Sequence, residues 1–400
     1  MINRGADSFS TAKGTPILFI TTGLGRGGAE HALVGLVQGL SKSGFLPRVV
    51  SLGGDGPVGD LFRLMGVPCV ALGLNRKSHW VSGLYTLWRE CRIYKPQIVQ
   101  TWMYHADFLG GLIARLSGRR PLFWSLHSGT VPSTESSKKT RVLVRALAFL
   151  SHILPEKIVS CSQAGVVAHG LAGYDRDRFV FVPNGIDPER FVPNLSLGFQ
   201  VREELGWAKD DFVIGCFARY HPQKNILGLL RVAACLPHVR FLLCGDGVDW
   251  NNPALTSLIS EGRPSTRFKL LGPREDIPRL MAAVNTVVLP SLFGEAFPLV
   301  LLEAMSMEIP CVASDVGDCA FIIGETGIIV RCGDHQELVN ALRKMAEMPD
   351  SLRQRMGRAA RERILNHFTV ERVVSAYADL YKGSLRKAKN LVSVDRISCR

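Results

Sequence analysis

Short apolar runs alternate with helix-patterned stretches from Ile17 to Ala313, and this repetition constrains the fold more than any single motif. Runs too short for a helix, bracketed by 3.6-residue periodicity, read as buried strands, and strands joined through helices pair in parallel. Strands are expected at Ile17–Thr21, Arg48–Leu52, Pro68–Leu72, Ile98–Thr101, Leu122–Leu126, Lys157–Cys161 and Phe179–Val182. Helices are expected between them, near Gly28–Ser41, Leu61–Met65, Ser82–Tyr94, His105–Leu116, Arg141–Leu150 and Ser162–Leu171. Turn residues then crowd into Pro183–Ser196, which marks a domain boundary. Alternation restarts with strands at Val213–Phe217, Phe241–Cys244, Phe268–Leu270, Thr286–Leu289 and Pro310–Ala313. Three helices, Gln336–Glu347, Leu352–Phe368 and Val370–Gly383, follow in succession. The expected class is α/β with two doubly wound domains, 1–190 and 191–370, a helix over 371–385 returning to the first domain, and a mobile tail over 386–400.

Composition narrows the function classes. The 400 residues suffice for two domains with separate cores, and 46% apolar against 21% charged content is that of a globular protein. No apolar stretch approaches the roughly 18 residues of a membrane span, and the Pro16–Ile20 run is too short for a signal-peptide core. A cytoplasmic location is expected. The ten cysteines show no CxxC spacing, so buried, reduced thiols are expected rather than zinc ligands or disulfides. Charge is uneven: Met1–Asn184 holds 21 Lys+Arg against 10 Asp+Glu, most of the chain's net +13. Without helix-turn-helix, zinc-finger or RRM signatures, nucleic acid is not an expected partner; an anionic membrane surface or phosphorylated lipid suits the basic half better. Lys138-Lys139-Thr140-Arg141 ahead of apolar Val142–Leu154 is either a lipid-touching segment or an ordinary core helix with a solvated start.

Two carboxylates eight positions apart, Glu295 and Glu303, flank a Phe297-Pro298 turn at a strand-to-helix junction. Pro298 fits a helix's first turn, where a missing N–H costs nothing, and the free amides there attract anions. One carboxylate can meet the reacting end of a ligand and the other its far end. Arg219 and Lys224 occupy the loop after the first strand of the second domain, where a fork-shaped and a point cation converge on a diphosphate, unless both are merely solvated. Thr22–Glu30 matches GxGxxG through Gly23, Gly25 and Gly28; it is a substrate loop, a nicotinamide or flavin site, or a tight turn. A dinucleotide site needs an acidic residue ending the second strand, and Arg48–Gly54 has none. His105 and His127 stand at or beyond strand ends, as acid–base or hydrogen-bonding groups or as packed structural histidines. No nucleophile elbow is present.

In order and spacing these segments resemble glycosyltransferase family 4, the retaining, nucleotide-sugar-dependent enzymes of the GT-B fold, over roughly Ile17–Tyr381. The resemblance runs through Gly25–Glu30, His127, Val182–Asp187, Arg219 with Lys224, Gly245-Asp246-Gly247, Gly272-Pro273-Arg274 and the Glu295/Glu303 pair. It implies two Rossmann-like domains facing a central cleft and a C-terminal helix crossing back. It also implies a diphosphate held by Arg219, Lys224 and the Phe297, Pro298 and Leu299 segment, and a nucleoside held by Glu303 and bordered by Gly272 and Arg274. Glu295 and His127 would reach the transferring sugar, and Gly25, Arg26, Gly27, Gly28 and His105 would lie on the acceptor side. The implied activity is transfer, without a metal or other cofactor, from a nucleotide sugar, taken as a UDP-sugar, to a saccharide or lipid-linked saccharide in surface-polysaccharide or lipopolysaccharide synthesis. Ala296 stands where many members carry glycine, and Asp315–Ala320 departs from the common asparagine or Pro-Glu pattern, which bears on donor identity. A nicotinamide oxidoreductase and a catalytically silent GT-B module are the alternatives.

Overall fold

The computed structural model describes residues 14–118, 121–131, 137–260 and 265–397. Two parallel sheets account for every strand described. The first comprises β1 (Thr15–Thr21), β2 (Phe45–Ser51), β3 (Cys69–Ala71), β4 (Ile98–Trp102), β5 (Leu122–Leu126), β6 (Lys157–Ser160) and β7 (Phe179–Phe181), in the order β3-β2-β1-β4-β5-β6-β7. The second comprises β8 (Phe212–Phe217), β9 (Val239–Cys244), β10 (Phe268–Leu270), β11 (Thr286–Leu289), β12 (Cys311–Ser314) and β13 (Ile328–Val330), in the order β10-β9-β8-β11-β12-β13. Both are doubly wound. Winding reverses between β1 and β4 in one sheet and between β8 and β11 in the other, so the loops after those strands open crevices.

The helices form for local reasons and orient by packing. Gly28–Lys42 buries Leu33, Leu36, Val37 and Leu40, one face of a 3.6-residue period. Pro57 opens the next helix, Pro57–Leu64, with its φ already suited to the first turn, so that helix begins before the expected Leu61. The expected His105–Leu116 helix divides into a π-turn, Ala106–Gly110, and a short α-helix, Gly111–Leu116. Strand β13 was not expected, because three residues carry too little pattern to stand out.

The chain passes between the two halves at two adjacent points. Ile186 N donates to Phe368 O and Val370 N donates to Ile186 O, both at 2.9 Å, so the Pro183–Ser196 stretch and the start of the last helix run side by side. That helix, Val370–Ile397, packs against Gly28–Lys42, where Gly35 and Gly39 admit Val370 and Val374. It plugs Tyr377 and Tyr381, 3% and 0% exposed, into the core beneath the first sheet, each ring contributing on the order of 2 kcal/mol of burial. Residues 386–397 therefore continue the helix instead of forming the expected tail; 398–400 lie outside the described residues. Among the described residues, Cys91, Cys161, Cys216, Cys244, Cys311 and Cys319 are buried, while Cys235 and Cys332 are exposed.

Candidate active site

Loops from both switch points face one another across the cleft. On the second sheet, the turn Pro222–Lys224 follows β8 and ends at Asn225, whose φ of +52° is tolerated by a short amide side chain. The loop after β11 is tied to it, with Leu292 N donating to Gln223 O at 2.8 Å. This brings Lys224 Nζ onto Glu295, a buried ion pair that Ser291 Oγ completes by donating to Glu295 Oε1 at 2.6 Å. The expected anchor for phosphate and the expected contact for sugar are thus bonded to each other. Arg219 is exposed and has no ion-pair or hydrogen-bond partner among the described residues, leaving its fork available.

Pro298 occupies the cap position of the helix Leu299–Ser306, one residue before the expected first turn, and no side chain caps that helix. Its opening amides, which include Leu299, keep the partial positive charge of a helix start. The Phe297 side chain faces the core. Its ring is buried against Phe368, at a centroid distance of 5.4 Å, and its carbonyl accepts from Asn184 Nδ2 at 2.9 Å, so only its backbone N–H remains for a ligand. Glu303, partly buried within the helix, has its carboxyl pushed up to about 7 by desolvation, which the charge of Arg190 partly offsets. Gly272 holds a turn at φ +64°, with its carbonyl accepting from Gly245 N at 2.9 Å. Arg274 forks onto Asp276 through two 2.8 Å hydrogen bonds, which occupies the face expected to border a base.

His127, on the loop after β5, stacks on Trp102 with ring centroids 4.2 Å apart. Its Nε2 shares a hydrogen bond with Ser125 Oγ at 3.0 Å, and Ser125 Oγ in turn meets Tyr377 OH at 3.3 Å. Burial lowers its pKa to about 3, so the ring is a neutral hydrogen-bonding group rather than a proton carrier at working pH. Its Nδ1 has no hydrogen-bond partner among the described residues, and the residue lines a cavity of about 10 Å³ with Trp102, Asn184 and Tyr377.

The glycine loop Gly25–Gly28 crosses towards the second half. Arg26 meets Glu275 at 3.1 Å, and a Cβ on Gly28 would sit 3.9 Å from Leu299 Cδ1. Glu30 folds back against Gly27; desolvation raises its pKa, and the charge of Arg219 opposes that rise. His105 is exposed after Met103, whose φ is +73°, and no hydrogen bond among the described residues joins it to His127 or to either carboxylate. Sequence reasoning missed Ser291, Gly129 and Arg190. A Cβ on Gly129 would fall 1.9 Å from Glu295 O, so the His127 loop rests directly on the carboxylate loop. Asp318, within the Asp315–Ala320 departure that bears on donor identity, bonds the start of the helix Gln163–Leu171 in the first half.

Paired doubly wound parallel sheets facing one another, with a cation–carboxylate cluster over an uncapped helix start, have the architecture of the GT-B fold. Residues 26–190 match the family model described as Glycosyltransferase Family 4, and residues 211–348 match Glycosyl transferases group 1. EpsF of Bacillus subtilis (strain 168), assigned as a glycosyltransferase, is 30% identical over 326 residues, 75% of this chain and 79% of EpsF. The Escherichia coli enzyme UDP-Gal:alpha-D-GlcNAc-diphosphoundecaprenol alpha-1,3-galactosyltransferase is 28% identical over 330 residues, 80% of this chain and 84% of that enzyme. HepE of Anabaena, solved in complex with UDP, superposes with a TM-score of 0.81 at 24% identity, covering 92% of this chain and all of HepE. The chain belongs to glycosyltransferase family 4. The glycine loop is accordingly no dinucleotide fingerprint, in keeping with the lack of an acidic residue at the end of β2.

Proposed function

We propose that this glycosyltransferase moves a sugar from a UDP-sugar to a lipid-linked saccharide, with retention of anomeric configuration and without a metal, in polysaccharide assembly. The observation that carries the reading is the meeting of Lys224, Glu295 and the uncapped Leu299–Ser306 helix start at the β8/β11 switch point, opposite the His127 loop. A departing nucleoside diphosphate accumulates charge on its phosphates, and Arg219, Lys224 and those amides are suited to take it up. The bond from C1 to the phosphate oxygen breaks as the acceptor oxygen bonds C1 on the same face. The acceptor's proton passes to the departing phosphate oxygen. Glu295 is a weaker candidate for a covalent nucleophile, since Lys224 and Ser291 already engage its carboxylate. The named donor and diphosphoundecaprenol-linked acceptor of the E. coli relative support the substrate class.

Attachment to an anionic membrane face is part of the proposal. The helix Lys138–Ser151 buries Val144 and Leu147 but exposes Val142 and Phe149 beside Lys138, Lys139 and Arg145. The helix Trp80–Ile93 exposes Trp80, Tyr85 and Trp88 with Arg89 and Arg92. Its carboxylate, Glu90, is buried and paired with Arg48 at 2.9 Å. Cations among interface-seeking aromatics suit a headgroup layer, and no helix among the described residues is long and apolar enough to cross a bilayer. Turnover of UDP-, GDP- and other nucleotide sugars by purified protein tests the donor, and NMR of the product's anomeric carbon tests retention. Preference for a GDP-sugar or an inverted product overturns the corresponding part. Failure to sediment with anionic vesicles at low salt overturns attachment.

A further inference from the structure

An enzyme that holds donor and acceptor on separate halves works only when the halves meet in register. Here one side chain of the second half is built into the first. Asp318 is 4% exposed. Its Oδ1 accepts from Ser162 Oγ and from Ala164 N, each at 2.9 Å, and its Oδ2 accepts from Gln163 N at 2.7 Å. Those amides open the helix Gln163–Leu171, whose own cap, Ser162, serves only Gly165 N, at 3.1 Å. A carboxylate answers the partial positive charge of a helix start, and its charge-assisted hydrogen bonds here exist only while the halves are together.

The same residue is fixed to the carboxylate loop, with Asp318 N donating to Ala296 O at 3.1 Å. A Cβ on neighbouring Gly317 would fall 2.1 Å from Glu295 O, so the backbone of this turn lies directly on that carbonyl. At the other end, a Cβ on Gly165 would fall 2.7 Å from Ser128 O, which places the helix's first turn against the His127 loop. Asp318, the helix start, Ser128 and Gly129 thus form a closed circuit around Glu295.

We infer that Asp318 is a positioning residue for transfer: its carboxylate, seated on the start of the Gln163–Leu171 helix, sets the register in which the His127–Gly129 loop meets the Glu295–Leu299 loop. The inference rests on the reading of this cleft as the transfer site. Opening strips the helix start of its second cap and returns the carboxylate to water, so the contact weights the population towards the closed arrangement. The signal is not local, because Ser162 and Asp318 are 156 positions apart.

The test uses the full chain with Asp318→Asn and Asp318→Ala. Hydrogen exchange over 161–171 reads the contact, UDP titration reads the donor half, and steady-state transfer separates kcat from donor KM. The expected result is faster exchange in both variants, UDP affinity and donor KM within about twofold of wild type, and kcat lower by about tenfold or more. Wild-type kcat in both variants overturns the inference, as does a kcat loss matched by an equal loss of UDP affinity and of thermal stability, which would mark a general folding role. If the wild-type enzyme uses no nucleotide sugar, the functional reading fails, and exchange alone then decides the contact: faster in the variants upholds the register, unchanged overturns it.

Discussion

Lys224 Nζ and Ser291 Oγ both donate to Oε1 of Glu295, so the carboxylate nearest the expected sugar position is held from two sides before any ligand arrives. The cation is thereby prepositioned, and a diphosphate bound as proposed would have to draw Lys224 partly from Glu295. Side-chain exposures of 18% and 6% make this a largely desolvated pair, for which loss of one member is costly.

Lys224→Ala is expected to destabilise the protein by about 3 kcal/mol, because Glu295 keeps a buried charge without its counter-ion. Transfer should fall by about a hundredfold or more. Adding Glu295→Gln should recover most of the stability and none of the transfer. A double variant as unstable as Lys224→Ala in denaturant melts would remove the pair as the cause.

Glu303 predicts opposite pH trends for stability and donor use. Its folded pKa, about 7, lies above the ordinary carboxyl value, so ionisation opposes folding: stability present at low pH is lost as pH rises from about 4.5 through 7. Glu303→Gln should therefore be more stable than wild type at pH 8, by up to about 3 kcal/mol, and equal to it near pH 4.5. A ribose hydroxyl donates best to the ionised form, so donor KM of the wild type should fall between pH 6 and 8 while that of Glu303→Gln stays flat. Parallel KM profiles for the two proteins would remove Glu303 from the nucleoside site.

Arg26→Ala should leave the melting temperature nearly unchanged. The Arg26–Glu275 pair is open to water, with side-chain exposures of 56% and 87%, and such pairs contribute less than about 1 kcal/mol. If the Arg26 loop is the acceptor side, as the family resemblance implies, the variant raises acceptor KM and leaves donor KM unaltered. The reverse split in steady-state kinetics would place Arg26 with the donor.

Gly129→Ala tests how closely the halves must approach. The added methyl meets Glu295 O at 1.9 Å, which only a shift of the His127 loop or a parting of the halves relieves. UDP binding by calorimetry should be retained, since Arg219, Lys224 and Glu303 are untouched, while turnover falls by about a hundredfold. Full activity would show that the contact is dispensable.

The proposed charge neutralisation by Arg219, Lys224 and helix amides predicts that transfer persists in excess EDTA, with no recovery or gain on adding Mg²⁺ or Mn²⁺. Loss of activity on chelation, restored by one cation, would transfer that role to a metal.

Much of this was legible in the chain. The alternation from Ile17 to Ala313 dictates parallel sheets, because short apolar runs joined through helices have no other economical pairing. Strand order then puts ligands at strand ends, so Arg219, Lys224, Glu295 and the glycine loop were locatable from their place after strands. The inward placement of the Phe297 ring was not legible, because an aromatic beside proline reads equally as loop or core, and Phe368 and Phe321 decide for core. The helix beyond Ser384 was missed because it prolongs a helix whose anchors, Val370, Val374, Tyr377 and Tyr381, all precede it.

By itself, the sequence determined the two sheets, the loops at their switch points and the residue types on those loops, since period, turn chemistry and strand order are local or nearly local properties. Only the tertiary structure decided that Lys224 binds Glu295 across 71 positions, that Glu303 is desolvated enough to titrate near 7, that His127 is neutral against Trp102, and that Asp318 serves the opposite half. Ionisation and hydrogen-bond partnership depend on the solvent and charges that distant segments bring to a side chain, and no local pattern encodes them.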